Sequence, residues 1–131
     1  MRVLIDTHAL LWYASGDPRL SLTGRRALGD EGNARLLSAA VPWEIAIKCS
    51  VGKLRFEEPF DVFLPRLIEQ NGLSLLPIRI EHASAVAGLP YPESGHRDPF
   101  DRLMIAQAII EGIPIVSGDS KLDGYGVERF W

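Results

Sequence analysis

The sequence has few of the features that mark secreted, membrane-spanning or disulfide-stabilised proteins. Its 131 residues contain one cysteine, Cys49, so no disulfide can form within the chain. No stretch approaches the roughly 20 apolar residues of a membrane span. The first apolar run ends at Asp6, which is unlike a signal peptide. We therefore expect a cytoplasmic protein without a membrane partner.

Two kinds of ligand-binding pattern are also absent. The turn after the first apolar run reads Asp6-Thr7-His8, without the glycines that cradle a phosphate, which disfavours a nucleotide-binding α/β domain. Thiol and imidazole pairs at zinc spacing do not occur either. A bound metal would therefore have to be held mainly by oxygen ligands.

An excess of positive charge is missing as well. The chain carries 14 basic and 17 acidic residues, a formal charge of −3, whereas nucleic-acid-binding surfaces are usually basic. If four acids gather in a metal site, the rest of the chain carries a formal charge of +1. Net charge alone therefore does not exclude a nucleic-acid substrate.

What the chain does contain is the composition of one globular domain over residues 1–131, with 47% hydrophobic and 24% charged residues. Short apolar runs predict strands at Val3 to Ile5, Ala34 to Val41, Leu73 to Ile78 and Ile113 to Val116, and a small final strand or extended tail from Val127. Helical patterns predict helices at Ala9 to Ala14, Ser21 to Asp30, Pro42 to Val51, Phe60 to Gln70, His82 to Gly88 and Phe100 to Glu111. Pro65 predicts either two short helical pieces or one kinked helix. The alternation favours an α/β fold, with a parallel sheet covered on both faces.

Acidic residues stand where these predicted strands end or helices begin. They are Asp6, Glu44, Asp101 and Asp119, with Asp98 as a fifth candidate. In a parallel sheet such positions share one edge, where ligands bind. Carboxylates about 5 Å apart repel by roughly 3 kcal/mol at an effective dielectric of about 20, and a divalent cation such as Mg²⁺ relieves that repulsion.

Each acid except Asp6 also has a plausible structural role. Asp98 can cap the helix that Pro99 opens, and Asp101 can favour the dipole of the same helix. Glu44 can pair with Lys48 one turn later, and Asp119 can form a turn. These alternatives stay open at the level of sequence.

At these residues the chain resembles the PIN-domain ribonucleases, most closely the VapC-type toxins of VapBC toxin–antitoxin pairs. The similar segments are Val3-Leu4-Ile5-Asp6-Thr7, Trp43-Glu44-Ile45-Ala46-Ile47-Lys48 with Gly52-Lys53-Leu54, the run from His96 to Ala108, and Ile115-Val116-Ser117-Gly118-Asp119. They follow one another in the family's order over nearly the whole chain. Val41-Pro42 and Ser117-Gly118-Asp119 depart from the commoner pattern, and the second departure removes a basic residue near the site.

The resemblance implies a three-layer α/β/α sandwich, a homodimer and an endoribonuclease that uses Mg²⁺ or Mn²⁺, neutralised by a VapB-type antitoxin. It implies that Asp6, Glu44, Asp101 and Asp119 are the catalytic, metal-binding acids, with Asp98 as a further ligand and Thr7 and Ser117 in support. A non-catalytic module that binds RNA or a protein is the alternative.

Several other side chains near the acids can contact RNA. Arg97, Arg102 and Lys121 can bind phosphates, and His8 and His96 can assist proton transfer. Trp12, Tyr13 and Trp43 can stack on unpaired bases, although packing in the core or in a dimer is the alternative. The apolar run Leu10 to Tyr13 can also line a groove for an antitoxin.

Overall fold

A five-stranded sheet forms the middle layer of the computed structural model, which describes residues 1–131. The strands are β1 (Arg2–Ile5), β2 (Ala34–Ser38), β3 (Ser74–Leu76), β4 (Ile115–Val116) and β5 (Arg129–Phe130), in the order β3-β2-β1-β4-β5. Every neighbouring pair is parallel, and Leu4 of the central strand is in register with Leu36 on one side and Ile115 on the other. The predicted mostly parallel sheet is therefore confirmed, and it is parallel throughout.

Helices cover both faces of the sheet. They are α1 (Thr7–Ser15), α2 (Leu22–Gly29), α3 (Val41–Ser50), α4 (Phe60–Gln70), α5 (Ile80–Gly88) and α6 (Pro99–Glu111). Because side chains alternate along a strand, Val3 and Ile5 pack in a core with residues of α1 to α4, whereas Leu4 packs in a second core with residues of α6. The predicted three-layer α/β/α arrangement is confirmed. None of the helices combines the length and the apolar character needed to cross a bilayer.

The turn between β2 and α3 is tighter than predicted. The second strand was expected to reach Val41, but it ends at Ser38, and Val41 already belongs to α3. The Ser38 hydroxyl accepts a hydrogen bond from the backbone N–H of Ala40 at 3.2 Å, and Pro42 occupies the first turn of the helix, where its missing N–H costs nothing. This turn brings Glu44, in the first turn of α3, close to the end of β2.

Helix α4 runs without interruption from Phe60 to Gln70, so two separate helical pieces do not occur. Pro65 is exposed, whereas Leu64 and Leu67 are buried in the larger core. The carbonyl that this proline leaves unpaired within the helix therefore lies on the side that water can reach. Burial of the apolar face keeps the helix continuous.

The C-terminal segment is more helical than predicted. Strand β4 contains only Ile115–Val116, and a 3₁₀-helix follows at Ser120–Tyr125 before β5. Leu122 and Tyr125 of this helix are buried in the smaller core. The segment between the last two strands therefore contributes to the core, and it places Tyr125 beneath the N-terminus of α6.

Candidate active site

Three predicted acids line one narrow pocket at the carboxyl edge of the sheet. Asp6 follows β1, Glu44 lies in the first turn of α3 and Asp101 in the first turn of α6. The remaining lining residues are Thr7, Ser38, Ala40, Val41, Phe100 and Met104. Asp6 is 8% exposed and Glu44 is 9% exposed, so both carboxylates are largely removed from water.

Asp119, in the turn after β4, lies outside this pocket but is linked to Asp6 through Ser117. The hydroxyl of Ser117 donates a hydrogen bond to Oδ2 of Asp6 at 2.8 Å and accepts one from the backbone N–H of Asp119 at 3.1 Å. Ser117 is fully buried. It therefore links the ends of β1 and β4, and it holds Asp6 and Asp119 on either side of one hydroxyl.

Glu44 is held by two neighbours. The Thr7 hydroxyl donates a hydrogen bond to Oε1 at 2.6 Å, and Nζ of Lys48 lies 3.3 Å from Oε2. The sequence left open whether Glu44 faces the site or pairs with Lys48 on the surface. In the structure Glu44 lines the pocket and also pairs with Lys48.

Asp101 stands at the end of a buried chain of hydrogen bonds. Its Oδ2 lies 2.9 Å from Nε2 of His96, and Nδ1 of the same ring lies 2.7 Å from the hydroxyl of Tyr125. Arg102 donates to that hydroxyl at 3.3 Å. Both ring nitrogens of His96 are hydrogen-bonded when the Tyr125 hydroxyl donates to Nδ1 and the proton on Nε2 is donated to Asp101. The chain thus orients one oxygen of Asp101.

Sequence reasoning missed this role of His96 and Tyr125. His96 was singled out only as a residue that can assist proton transfer, although its place five residues before Asp101 was visible. Tyr125 gave no signal, because it reaches the site through the 3₁₀-helix between β4 and β5. Both side chains are buried, and their rings meet edge to face at 5.5 Å.

Burial and mutual repulsion disfavour the charged forms of two of these acids. The pKa of Asp6 is raised, mainly by burial and also by the charges of Glu44 and Asp119. The hydrogen bond from Ser117 and the charge of His8 oppose this rise. Burial raises the pKa of Asp101 to about 6, the hydrogen bond with His96 lowers it, and the charges of Asp98 and Asp6 raise it. The carboxylates therefore interact with one another as one cluster.

Such a cluster suits a hard divalent cation. Four carboxylates supply the oxygen ligands that Mg²⁺ and Mn²⁺ prefer, and positive charge would offset the cost of their burial. Ligand atoms of His96, Asp101 and Asp119 lie within 4.8 Å of one another, close enough to contact one ion. The donor set therefore fits the metals expected from the sequence.

Asp98 and Arg102 take structural positions. The Asp98 carboxylate accepts a hydrogen bond from the backbone N–H of Asp101 at 2.9 Å and caps α6. Arg102 was expected to contact substrate, but only 4% of it is exposed, and it donates to the carbonyls of Leu89 and Pro90 at 3.2 and 2.8 Å. Its guanidinium also lies 4.0 Å from the ring centroid of Tyr91. The prediction for Arg102 is therefore wrong.

The other two predicted phosphate contacts remain accessible. Arg97 is exposed, with its guanidinium 4.7 Å from the ring centroid of Tyr91. Lys121 is exposed, and its backbone N–H donates to Oδ1 of Asp119 at 3.0 Å. Their contact with substrate stays a prediction.

The sequence model of the PIN domain family matches residues 3–128. The chain belongs to the PIN domain family. Ribonuclease VapC22 of Mycobacterium tuberculosis is 30% identical to it over 121 residues, which cover 92% of this PIN domain protein and 88% of the relative. Ribonuclease VapC16 of the same organism is 41% identical over 59 residues, covering 45% and 40% of the two chains.

Solved structures share the fold of this PIN domain. VapBC2 from Rickettsia felis, bound to a DNA fragment from its promoter, matches with a TM-score of 0.72 and 17% identity over 100% of both chains. FitAcB from Neisseria gonorrhoeae matches with a TM-score of 0.65 and 18% identity over 98% of this chain and 96% of the other. The family expected from the sequence is confirmed.

Proposed function

We propose that this PIN domain, residues 1–131, is an Mg²⁺- or Mn²⁺-dependent endoribonuclease and the toxin of a type II toxin–antitoxin pair. The observation that carries the proposal is the buried cluster of Asp6, Glu44 and Asp101, with Asp119 joined to it through Ser117. Relatives in the same family bear the names Ribonuclease VapC22 and Ribonuclease VapC16, which supports RNA as the substrate.

The metal would be held by Asp6, Glu44 and Asp101, which line one pocket, and by Asp119, which Ser117 links to Asp6. When bound, a divalent cation supplies positive charge that favours ionisation of an attacking water and stabilises the oxygen that leaves the phosphodiester. The protein's own contribution is orientation. Because the hydroxyl groups of Ser117 and Thr7 donate hydrogen bonds to Asp6 and Glu44, the two carboxylates keep fixed positions.

His96 acts in the same way on Asp101. Its Nε2 proton fixes one carboxylate oxygen, and Tyr125 fixes the ring from the other side. All four acids thus accept a hydrogen bond, because the backbone N–H of Lys121 donates to Oδ1 of Asp119. None of these donors supplies a nucleophile, so the attacking group is water.

The test is cleavage of a labelled RNA by the purified protein. Cleavage should require Mg²⁺ or Mn²⁺, stop in EDTA and be lost in Asp6→Asn, which keeps the size of the side chain but removes its charge. Glu128→Gln is a matched control, because Glu128 is exposed and lies outside the pocket. Cleavage that survives both EDTA and Asp6→Asn would refute the proposal. Calorimetric binding of Mn²⁺ without any cleavage would instead indicate a non-catalytic module.

We also propose a VapB-type antitoxin partner and a homodimer. The relatives named VapC, and the fold shared with VapBC2, support the first. An interface is supported by Trp43 and Ile47 of α3 and by Val51, which caps its C-terminal end: they repeat every four residues and are 65%, 38% and 61% exposed. Sedimentation should give twice the mass of one chain, and Val51→Lys should shift it towards the monomer.

A further inference from the structure

A recess opens beside the acid pocket and shares Asp6 with it. It is lined by Asp6, His8, Trp12, Gly118 and Asp119 and has a volume of about 300 Å³. A larger groove of about 520 Å³ lies next to it, and His8 and Trp12 line both. A strand bound at Asp6 and Asp119 would therefore reach this groove past His8 and Trp12.

Local sequence gives the recess an aromatic wall. His8 and Trp12 lie one turn apart on α1, with ring centroids 5.8 Å apart. The ring of Trp131 lies 5.9 Å from Trp12 and covers the backbone of the turn after β4. Aromatic side chains of this kind supply the stacking surface that single-stranded nucleic acids use.

Gly118 is required for this arrangement. A Cβ atom at that position would lie 2.8 Å from the ring of Trp131, so any other residue would displace the indole. Gly118 lies in the turn that departs from the commoner family pattern by lacking a basic residue. The ring of Trp131 packs over the backbone of Gly118, and Gly118 lines the recess without a side chain.

We propose that this recess binds one unpaired base of an RNA strand, in the nucleotide next to the cleaved phosphate. The proposal rests on the proposed ribonuclease function. Because Asp6 and Asp119 belong to both the cluster and the recess, a phosphate held by the acids places its neighbouring nucleotide here. A base must leave its stack to enter, so single-stranded RNA is the substrate class.

The charges along the path agree with an RNA strand. Arg19 and Arg55 line the larger groove, and both are exposed. The Arg19 guanidinium lies 4.9 Å from the ring centroid of Trp12. Its Nε donates to Oδ1 of Asp17 at 3.1 Å, and its Nη2 donates to Oδ2 of Asp17 at 2.7 Å. Asp17 balances Arg19, so Arg55 leaves one excess positive charge at this end of the groove, which would suit a backbone phosphate.

The test compares intact RNA with RNA that lacks a single base. Binding of a short labelled single strand is measured by fluorescence anisotropy in Mg²⁺, using Asp101→Asn to prevent cleavage, because Asp101 lies outside the recess. An abasic nucleotide on one side of the cleavage position should weaken binding roughly 5- to 150-fold, the range for loss of one base–aromatic stack. An abasic nucleotide far from that position is the control.

Trp12 variants identify the partner of that base. Trp12→Ala should weaken the binding of intact RNA by a similar factor and the binding of abasic RNA very little. Trp12→Phe should retain most of the affinity for intact RNA. Ile80→Ala, at a residue that is 87% exposed and distant in sequence from the recess, should change nothing. The abasic comparison needs no change at Trp12, so it stands even if Trp12→Ala does not fold.

Three results would overturn the proposal. In the first, an abasic nucleotide on either side of the cleavage position leaves the affinity for RNA unchanged. In the second, Trp12→Ala weakens the binding of intact and abasic RNA equally. In the third, Trp12→Ala abolishes the binding of a protein partner and leaves RNA binding intact. Failure of the ribonuclease proposal looks different: base-dependent binding would persist while the wild-type protein cleaves no RNA in Mg²⁺ or Mn²⁺.

Discussion

Replacing Asp101 by asparagine should stabilise the metal-free protein at neutral pH while abolishing cleavage. Burial raises the pKa of Asp101 to about 6 from 3.8, so its charged form is disfavoured in the folded state. The folded protein binds more protons than the unfolded chain between these values. The contribution of Asp101 to the stability of the metal-free protein should therefore be most favourable below pH 4 and fall as the pH rises towards and through 6.

The size of the effect follows from the same shift. One pKa unit corresponds to 1.36 kcal/mol, so the full shift would cost about 3 kcal/mol above pH 6. The Asp101 side chain is 24% exposed, and solvent screening reduces this to about 1 to 2 kcal/mol. Asparagine keeps an oxygen that accepts the proton from Nε2 of His96, so the variant avoids this cost without losing the hydrogen bond.

Urea denaturation in EDTA measures the difference directly. At pH 8 Asp101→Asn should be more stable than wild type by about 1 to 2 kcal/mol, and near pH 4 the two should coincide. Saturating Mg²⁺ should stabilise the wild-type protein, because a ligand that binds only the folded state raises the free energy of unfolding. The difference in stability between Asp101→Asn and wild type should therefore shrink or reverse in Mg²⁺. Glu128→Gln should show neither effect. An Asp101→Asn variant that is less stable than wild type in EDTA at pH 8 would refute the argument, because the carboxylate would then be favourably paired with His96.

Three further variants test other contacts of the site. His96→Asn should weaken Mn²⁺ binding, measured by calorimetry, about 10- to 100-fold, and Tyr125→Phe should weaken it less. Unchanged Mn²⁺ affinity in both variants would show that His96 and Tyr125 do not position Asp101. Gly118→Ala should lower the free energy of unfolding by about 1 to 3 kcal/mol, because its methyl group would clash with Trp131, and an unchanged thermal midpoint would contradict that contact. Arg102→Lys should lower the free energy of unfolding, measured by urea denaturation, by about 2 kcal/mol, because hydrogen bonds to two backbone carbonyls are lost. An unchanged free energy of unfolding would instead indicate that Arg102 faces solvent.

The sequence predicted those features that depend on local pattern. Asp98-Pro99 predicted the start of α6, and the structure confirms both the cap and the first helical residue. Asp6 after an apolar run predicted an acid at the carboxyl end of a central strand, and parallel topology brings Glu44 and Asp101 to the same edge. Residue type and the ends of helices and strands carried these predictions.

Features that depend on contacts distant in the chain could not be predicted. Arg102 follows Asp101 directly, yet the loop before α6 supplies carbonyls and an aromatic ring that turn it away from the pocket. Tyr125 reaches His96 across 29 residues. The end of β2 was misplaced because an apolar run gives no sign of where a strand becomes a helix. Such details require the three-dimensional arrangement of loops.

The chemistry of the donors around the acids explains why the cluster stays available to a cation. Thr7 and Ser117 orient carboxylates through hydroxyl groups, which fix position and leave the charge uncompensated. An arginine at these places would form a bidentate pair and compete with the metal. Arg102, the nearest arginine in sequence to Asp101, binds backbone carbonyls instead, and Lys48 contacts only the outer oxygen of Glu44. The fold therefore holds the acids in place with neutral donors and leaves most of their negative charge to be balanced by what binds.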